Sequence, residues 1–176
     1  MNILNNMIET DRLIIIPLTL SQLRKYIIAD NSLEKELCVN ESPRTISSEL
    51  MEALEKTIIP GVEINERDFL YSTLWTIIWK EHNKMVGDLC FFGVPNENGE
   101  IEIGYGIYEG FRKRGLMTEA VGAVIKWAEE QPGIRAIIAG TEKSNADSYA
   151  ILKRNNFIKC GESETLFNWR LNIERQ

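Results

Sequence analysis

The sequence predicts an α+β domain spanning residues 1–176, built on a mixed sheet of about seven strands with helices on both faces. Residues 73–108 contain three strand patterns separated by short polar turns, which is typical of an antiparallel meander. Residues 100–141 then follow the order strand, helix, strand, and such a crossover places its two strands side by side and parallel. A chain of 176 residues has the length of a single domain.

The first half of the chain predicts one strand and two helices. A β-branched run marks the strand, and Thr19 with Gln22 has the spacing of a capping box at the start of the first helix. In chain order, we expect a strand at 12–18, a helix to about residue 30, an irregular polar segment at 31–46, a helix at about 46–58 ended by Pro60-Gly61, and a loop at 61–71.

The second half predicts the remaining six strands and two more helices. Alternating apolar and polar residues indicate a strand at 100–108, and an apolar stripe that begins at Met117 indicates a helix. In chain order, we expect strands at 73–80, 85–94 and 100–108, a helix ended by residues 131–133, a strand at 134–141, a helix at 146–155 capped by Asn145, and strands at 157–160 and 165–172.

The charge balance and the apolar runs exclude several classes of protein. The chain has 20 basic and 26 acidic residues, a net charge of −6, whereas nucleic-acid binders usually have a basic surplus. The apolar runs are far shorter than the roughly 18 residues of a membrane span. The N-terminus lacks the basic and apolar regions of a signal peptide, so we expect a cytoplasmic protein. An acidic surface suits amine partners, although acidity also serves solubility alone.

The histidine and cysteine content argues against several catalytic machines. The one histidine, His82, lies in a polar turn, where it is expected to be solvated and poorly placed for a Ser-His-Asp or Cys-His site. Cys38, Cys90 and Cys160 are far apart and form no C-x-x-C pair, so neither a zinc site nor a disulfide framework is indicated. We expect each cysteine to be a buried or half-buried apolar residue in a reducing compartment.

The loop before the Met117 helix has the features of an anion site. It carries Arg112, Lys113, Arg114 and Gly115 where the helix begins. A helix N-terminus has free N–H groups and a partial positive charge, and a glycine lets an anion approach the backbone. The pattern predicts a phosphate or pyrophosphate ligand, and a solvated basic loop is the alternative.

Gly104, Gly106 and Gly110 superficially suggest a dinucleotide-binding fold. That fingerprint places its glycines at the start of a helix within a βαβ unit, whereas the first two glycines here lie inside a strand. Glycines within a strand more often mark a bulge or a close approach of a ligand to the backbone.

Three stretches resemble the GNAT N-acetyltransferase superfamily, and within it the Rim-type branch that includes ribosomal-protein N-acetyltransferases. Motif A of the superfamily has the core Gln/Arg-x-x-Gly-x-Gly/Ala, and Arg112-x-x-Gly115-x-Met117 is similar to it, with Met117 in place of the final small residue. The other two stretches are residues 9–13, which resemble the first strand of that branch, and Asn145-x-x-Ser148 with Arg154-Asn155-Asn156-Phe157, which resemble its final helix and strand. The order of the predicted elements matches that fold along nearly the whole chain.

The resemblance implies acetyl-CoA as the co-substrate, with no metal. It places the pyrophosphate on backbone N–H groups at the helix start and the pantetheine arm between two parallel strands that splay apart. The implied donor-binding residues are Tyr105, Ile107, Arg112, Lys113, Arg114, Gly115, Leu116, Met117, Thr118 and Asn145.

The resemblance also implies direct attack of an amine on the thioester. An amine with a pKa of about 10.4 is mostly protonated at neutral pH, so the reaction needs a base. Glu102 is the implied base, and a solvent-facing strand residue is its alternative role. Ser148 is the implied donor to the leaving thiolate, since Leu152 stands where many members have a tyrosine. Stabilising the helix cap is the alternative role of Ser148.

Two other functions stay open from the sequence alone. An acyl-CoA-binding module without catalysis would keep the basic loop, and Met117 and Leu152, which depart from the family pattern, keep that alternative open. A nucleotide or phosphosugar binder would use the same helix terminus. The acceptor is a small-molecule amine or a protein N-terminal amine, with neither nucleic acid nor membrane as a partner, and a homodimer is compatible with the sequence.

Overall fold

The computed structural model describes residues 6–64 and 66–174, whose strands form one mixed eight-stranded sheet. The strands are β1 (Ile8–Glu9), β2 (Leu13–Pro17), β3 (Leu74–Trp79), β4 (Lys84–Phe91), β5 (Glu100–Ile107), β6 (Ala136–Glu142), β7 (Ile158–Glu162) and β8 (Leu166–Asn172). They lie in the order β1-β2-β3-β4-β5-β6-β8-β7, and β5 and β6 are the parallel pair. The predicted α+β class, meander and parallel crossover are therefore confirmed.

In the part of the chain that the structure describes, five α-helices precede β3 and two follow β5. Their bounds are α1 (Leu20–Ile28), α2 (Ser32–Glu36), α3 (Ser48–Ala53), α4 (Ile59–Ile64), α5 (Phe69–Ser72), α6 (Leu116–Glu129) and α7 (Ala146–Arg154), with a π turn at Leu54–Ile58 and 3₁₀ turns at Glu66–Asp68 and Glu109–Phe111. In the part of the chain described, no helix is long and apolar enough to cross a membrane.

Two hydrophobic clusters lie on the two faces of the sheet. One packs α6 and α7 against β2, β3, β4, β5, β6 and β8, with Trp75, Ile101 and Trp169 among its buried members. The other packs α1 to α5 against β2, β3 and β4. This second group of helices therefore covers the first half of the sheet and stops short of β6, β8 and β7.

Both predicted helix caps are confirmed. Thr19 and Gln22 form a reciprocal capping box at the start of α1, with the Thr19 hydroxyl accepting from the Gln22 backbone N–H at 3.2 Å. The Asn145 side chain caps α7 by accepting a hydrogen bond from the Ser148 backbone N–H at 3.0 Å.

The predicted end of the second helix at Pro60-Gly61 is wrong. The helical path continues from α3 through the π turn and α4 to Ile64. The Ile59 N–H donates to the carbonyl of Leu54, five residues back, so the regular ladder is already interrupted where Pro60 has no N–H to donate. The expected loop at 61–71 is likewise wrong, because α4, a 3₁₀ turn and α5 occupy most of it.

The sheet has one strand more than the sequence predicts. Ile8 pairs with Ile15 and Glu9 with Ile14, forming an antiparallel edge strand of two residues. Two residues carry no readable alternation, so this strand arises from its pairing partner and not from a local pattern.

The predicted exposure is confirmed for His82 and wrong for two cysteines. His82 is exposed in the turn after β3, with its ring edge-on to Trp79 at 4.2 Å. Cys90 is half-buried, as expected, but Cys38 and Cys160 are exposed. Cys38 adopts a left-handed backbone beyond α2, and Cys160 lies at the register shift of β7, where a bulged residue is left out of the ladder.

The parallel strands β5 and β6 separate part of the way along their length. They pair from Glu100 with Ala136 to Glu102 with Ile138, and beyond this point β5 pairs only with β4. A Cβ at position 87 would lie 2.5 Å from the Gly106 carbonyl oxygen, so the glycine at position 87 permits the close approach of β4 to this part of β5. The separation leaves a cleft between β5 and β6, as the sequence resemblance implies.

Candidate functional site

A groove of about 670 Å³ runs from the β5–β6 cleft to the start of α6, with α7 along one side. It gathers the implied donor-binding residues from three separate segments of the chain. The groove is lined by Tyr105, Ile107, Arg112, Lys113, Arg114, Gly115, Leu116, Met117, Thr118, Asn145 and Ser148. Glu102, the remaining residue that the sequence singles out, is outside this lining.

The start of α6 presents backbone rather than side chains to the groove. Gly115 occupies the N-cap position with φ of +74°, a left-handed conformation that favours glycine. Leu116 and Met117 are buried in the core, so their N–H groups are what they offer a ligand. The same burial explains why a methionine is tolerated at the last motif position, because its side chain fills the core and leaves the groove free.

The basic loop before α6 is exposed and braced from the N-terminal strand. Arg112, Lys113 and Arg114 are all exposed, and the Arg114 guanidinium lies 5.6 Å from the centre of the Trp79 ring. Arg12 donates to the Arg114 carbonyl at 3.0 Å and forms an ion pair with Glu119 at 2.6 Å. No described carboxylate forms an ion pair with these three basic groups, which flank the N-terminus of α6, where the helix dipole also favours an anion.

Glu119 joins the first strand region to α6, a contact that the sequence does not reveal. Its carboxylate accepts from the Thr10 hydroxyl at 2.6 Å and from the Arg12 backbone N–H at 3.1 Å. Partial burial opposes ionisation, but the hydrogen bonds from Thr10 and Arg12 outweigh it and lower the pKa of Glu119. The one sequence signal that could have found this brace is the similarity of residues 9–13 to a family strand.

Tyr105 and Ser148 meet across the groove. The Ser148 hydroxyl donates to the Tyr105 phenol oxygen at 3.1 Å, and the phenol donates to the Ser148 backbone carbonyl at 3.0 Å. Burial raises the pKa of Tyr105 to about 12, although the hydrogen bond from Ser148 opposes the shift. The phenol therefore keeps its proton at neutral pH and is available as a hydrogen-bond donor.

Glu102 and Glu100 lie on the opposite face of β5 from Tyr105, but only Glu102 is unengaged. Glu100 forms an ion pair with Arg170, and hydrogen bonds from Asn96 and Arg170 lower the pKa of Glu100. Glu102 is exposed, and no described residue forms an ion pair or hydrogen bond with its carboxylate. Of the two carboxylates, Glu102 is therefore the one available to a cationic ligand.

The face of β5 that carries Glu102 is open and partly aromatic. Phe92 is 65% exposed, and its ring would lie 3.0 Å from a Cβ on Gly104. A Cβ on Gly106 would meet nothing within 4 Å. The backbone of β5 is thus accessible from this face, between an exposed aromatic ring and a free carboxylate.

The neighbouring strand β4 carries a buried carboxyl that sequence reasoning missed. Asp88 pairs with Gly106 in the β4–β5 register and is 4% exposed. Its Oδ2 accepts from the Tyr26 hydroxyl at 2.6 Å and from the Tyr108 hydroxyl at 2.8 Å. Burial raises the pKa of Asp88 to about 6, against the lowering effect of these hydrogen bonds.

A buried ion pair between Arg44 and Glu34 lies beside Tyr26, one of the two tyrosines that donate to Asp88. Their side chains are 3% and 1% exposed. The Arg44 guanidinium lies 4.7 Å from the centre of the Tyr26 ring and donates to the Tyr26 carbonyl at 3.1 Å. The segment at 31–46, which the sequence shows only as polar and irregular, thus contains both partners of this buried charge pair, and Arg44 ties the segment to α1 through Tyr26.

The chain matches a known family over most of its length. Residues 12–158 match the family described as "Acetyltransferase (GNAT) domain". A similar curated protein is the uncharacterized N-acetyltransferase YjdG of Bacillus subtilis (strain 168), 34% identical over 95 residues, which are 54% of this chain and 56% of that protein. The matched stretches cover between 49% and 63% of the lengths of the curated relatives.

Solved structures share the fold across nearly the whole chain. The ribosomal-protein-S5-alanine acetyltransferase of Vibrio fischeri has a TM-score of 0.69 at 16% identity, covering 96% of this chain and 97% of that one. A ribosomal L7/L12 alpha-N-protein acetyltransferase, RimL, in complex with coenzyme A has a TM-score of 0.67 at 18% identity, covering 95% and 98%. At these identities the likeness concerns the fold, and it confirms the fold that the sequence resemblance implies.

Proposed function

Because the chain belongs to the GNAT acetyltransferase family, we propose that it transfers an acetyl group from acetyl-CoA to a primary amine. The observation that carries the proposal is the single groove that joins the N-terminus of α6 to the β5–β6 cleft. An anion site at one end and an opened strand edge at the other fit a pyrophosphate followed by an extended amide-bearing arm.

The donor is held chiefly by backbone groups in this proposal. The pyrophosphate lies on the N–H groups at the start of α6, with Arg112, Lys113 and Arg114 supplying positive charge. The pantetheine arm runs along the free edge of β5 at Tyr105 and Ile107, where its amides replace the hydrogen bonds that β6 makes lower down. Asn145 flanks the arm from the side of α7.

The chemistry needs three things of the protein. Glu102 accepts a proton from the ammonium group, directly or through water, as the amine nitrogen bonds to the thioester carbon. A backbone N–H of β5 stabilises the oxyanion of the tetrahedral intermediate. The C–S bond then breaks, the nitrogen releases its second proton to solvent to leave a neutral amide, and the Ser148 hydroxyl donates a hydrogen bond to the thiolate that leaves.

We propose a protein N-terminal amine as the acceptor, reached from the open face that carries Glu102. The structurally similar RimL is named as an alpha-N-protein acetyltransferase, which supports an acceptor of that class. A free carboxylate beside the exposed Phe92 suits an ammonium group attached to a peptide. The reaction is accordingly placed in the cytoplasm, where such acceptors and acetyl-CoA meet.

Calorimetry with CoA and an acetyl-CoA consumption assay test the proposal together. The acceptors are peptides with free N-terminal serine or alanine, their N-acetylated counterparts, a polyamine and an aminoglycoside. We expect CoA to bind and only peptides with a free N-terminus to be consumed. Tight binding of ATP without CoA, or CoA binding without turnover on any amine, contradicts the proposal.

A further inference from the structure

Tyr105 is the one groove residue whose side-chain hydroxyl joins β5 to α7 through described hydrogen bonds. Its phenol oxygen lies 3.1 Å from the Ser148 hydroxyl oxygen and 3.0 Å from the Ser148 carbonyl oxygen. Both bonds end on one residue in the first turn of α7, beside the cleft where β5 leaves β6. The Ser148 hydroxyl is thus held in place by a side chain from the opposite wall.

We propose that Tyr105 is a positioning residue that orients the Ser148 hydroxyl as a hydrogen-bond donor to the sulfur of CoA. The inference rests on the proposed function, in which Ser148 serves the leaving thiolate. Without a ligand, the Ser148 proton points at the phenol oxygen. When a thiolate occupies the groove, the phenol turns its own proton from the Ser148 carbonyl to the Ser148 hydroxyl oxygen, which frees the Ser148 proton for the sulfur.

Two hydroxyls in series make a better donor than one. A hydroxyl that accepts a hydrogen bond becomes more polarised and donates a stronger one, an effect that is larger in a partly buried site. No proton changes owner in this arrangement, because the phenol keeps its proton at neutral pH. The thiolate is stabilised by hydrogen bonding and takes its proton from solvent after it leaves.

The ionisation of the bound CoA thiol reports this role directly and needs no acceptor. The thiolate absorbs in the ultraviolet, so the absorbance of each protein is titrated with and without CoA and the difference is analysed. We expect the wild-type protein to increase the ionisation constant of the CoA thiol by about 10- to 100-fold, as one hydrogen bond to a charged group does. In Tyr105→Phe the ionisation constant of the bound CoA thiol should be about tenfold lower than in the wild type, and in Ser148→Ala at least about tenfold lower.

The double variant tests the coupling between the two hydroxyls. If Tyr105 acts through Ser148, the double variant should shift the ionisation no further than Ser148→Ala alone. Charged residues of the groove are the same in every variant, so they do not contribute to the differences; these are Arg112, Lys113, Arg114, Glu142, Asp147 and Arg154.

Tyr149→Phe is the matched control. Tyr149 neighbours Ser148 on α7, but its ring packs on Trp169 and Phe167 and it does not line the groove. This variant should titrate like the wild type, and all variants should bind CoA within a few-fold of one another by calorimetry.

The outcomes separate the two claims. An unchanged ionisation in Tyr105→Phe, or shifts that add fully in the double variant, overturns the role of Tyr105 while leaving CoA binding intact. A wild-type protein that does not bind CoA overturns the proposed function and this inference with it.

Discussion

The hydroxyl groups of Tyr26 and Tyr108 converge on the same carboxylate oxygen of buried Asp88 and lie 3.4 Å from each other. Tyr26 belongs to α1, Asp88 to β4, and Tyr108 follows β5. These three side chains therefore connect α1 to β4 and to the end of β5. The pKa of Asp88 is raised in the fold, so we expect the free energy of unfolding to depend on pH through this carboxyl.

Stability should fall as pH rises through the titration of Asp88. The pKa of this carboxyl is about 6 in the fold and 3.8 in a model peptide, so the folded state binds its proton more tightly than the unfolded chain. At about 1.4 kcal/mol per pKa unit, the stabilisation present below about pH 4 should decline by roughly 3 kcal/mol by about pH 7. Urea unfolding of the wild type and of Asp88→Asn across this range measures it.

Asp88→Asn should lack this decline, because the amide does not titrate but still accepts hydrogen bonds from the tyrosines. Asp11→Asn, at an exposed position, serves as the control and should keep the wild-type pH dependence. A slope in Asp88→Asn equal to that of the wild type would show that other groups govern the pH response.

Gly115→Glu should abolish CoA binding without unfolding the protein. The new side chain places volume and negative charge at the N-terminus of α6, where the pyrophosphate is proposed to lie. A residue with a Cβ at φ of +74° should also lower the free energy of unfolding by about 1–2 kcal/mol. Calorimetry measures the affinity and circular dichroism the stability.

Gly110→Glu is the matched control, since it adds the same charge in the preceding turn, where a Cβ would meet nothing within 4 Å. It should keep CoA affinity within a few-fold of the wild type. Retained affinity in Gly115→Glu would remove the start of α6 from the donor site.

Glu102→Gln should lower turnover near neutral pH by about 10²–10⁴-fold, the typical effect of losing a general base. The loss should shrink at high pH, where more of the amine is already neutral. A pH–rate profile with one competent peptide measures both effects.

Glu100→Gln provides the comparison from the same strand face. Glu100 is engaged by Arg170 and Asn96, so its replacement should change turnover by a few-fold at most. If the pH–rate profiles of Glu102→Gln and the wild type are equal, Glu102 is not the base, and catalysis depends on positioning of the substrates alone.

Glu34→Gln should destabilise the protein by about 3–5 kcal/mol, because it leaves the Arg44 charge buried without its partner. Glu52→Gln breaks an exposed ion pair with Lys56, whose side chains are 64% and 70% exposed, and should cost less than about 1 kcal/mol. Urea unfolding measures both changes. Equal decreases in the free energy of unfolding of the two variants would contradict the expected difference between a buried and an exposed ion pair.

Features that depend on a few neighbouring residues could be read from the sequence. The capping box at Thr19, the cap at Asn145 and the loop ending at Gly115 each involve hydrogen bonds or dihedral preferences within about four residues. The crossover between β5 and β6 follows from element order, because parallel neighbours need a long crossover connection and α6 supplies one. The segments that line the groove could therefore be predicted from the sequence, whereas their role in binding the donor stays a prediction.

The tertiary structure alone decided the features that join distant parts of the chain. Asp88 meets Tyr26 across 62 residues and Tyr108 across 20, and no local pattern announces either contact. Glu100 differs from Glu102 in being paired with Arg170 of β8. The helix continues past Pro60 because a π turn precedes this proline. Local sequence determines backbone conformation through short-range sterics and hydrogen bonds. Burial and pKa depend on which distant side chains exclude water from a group, and only the packed fold supplies them.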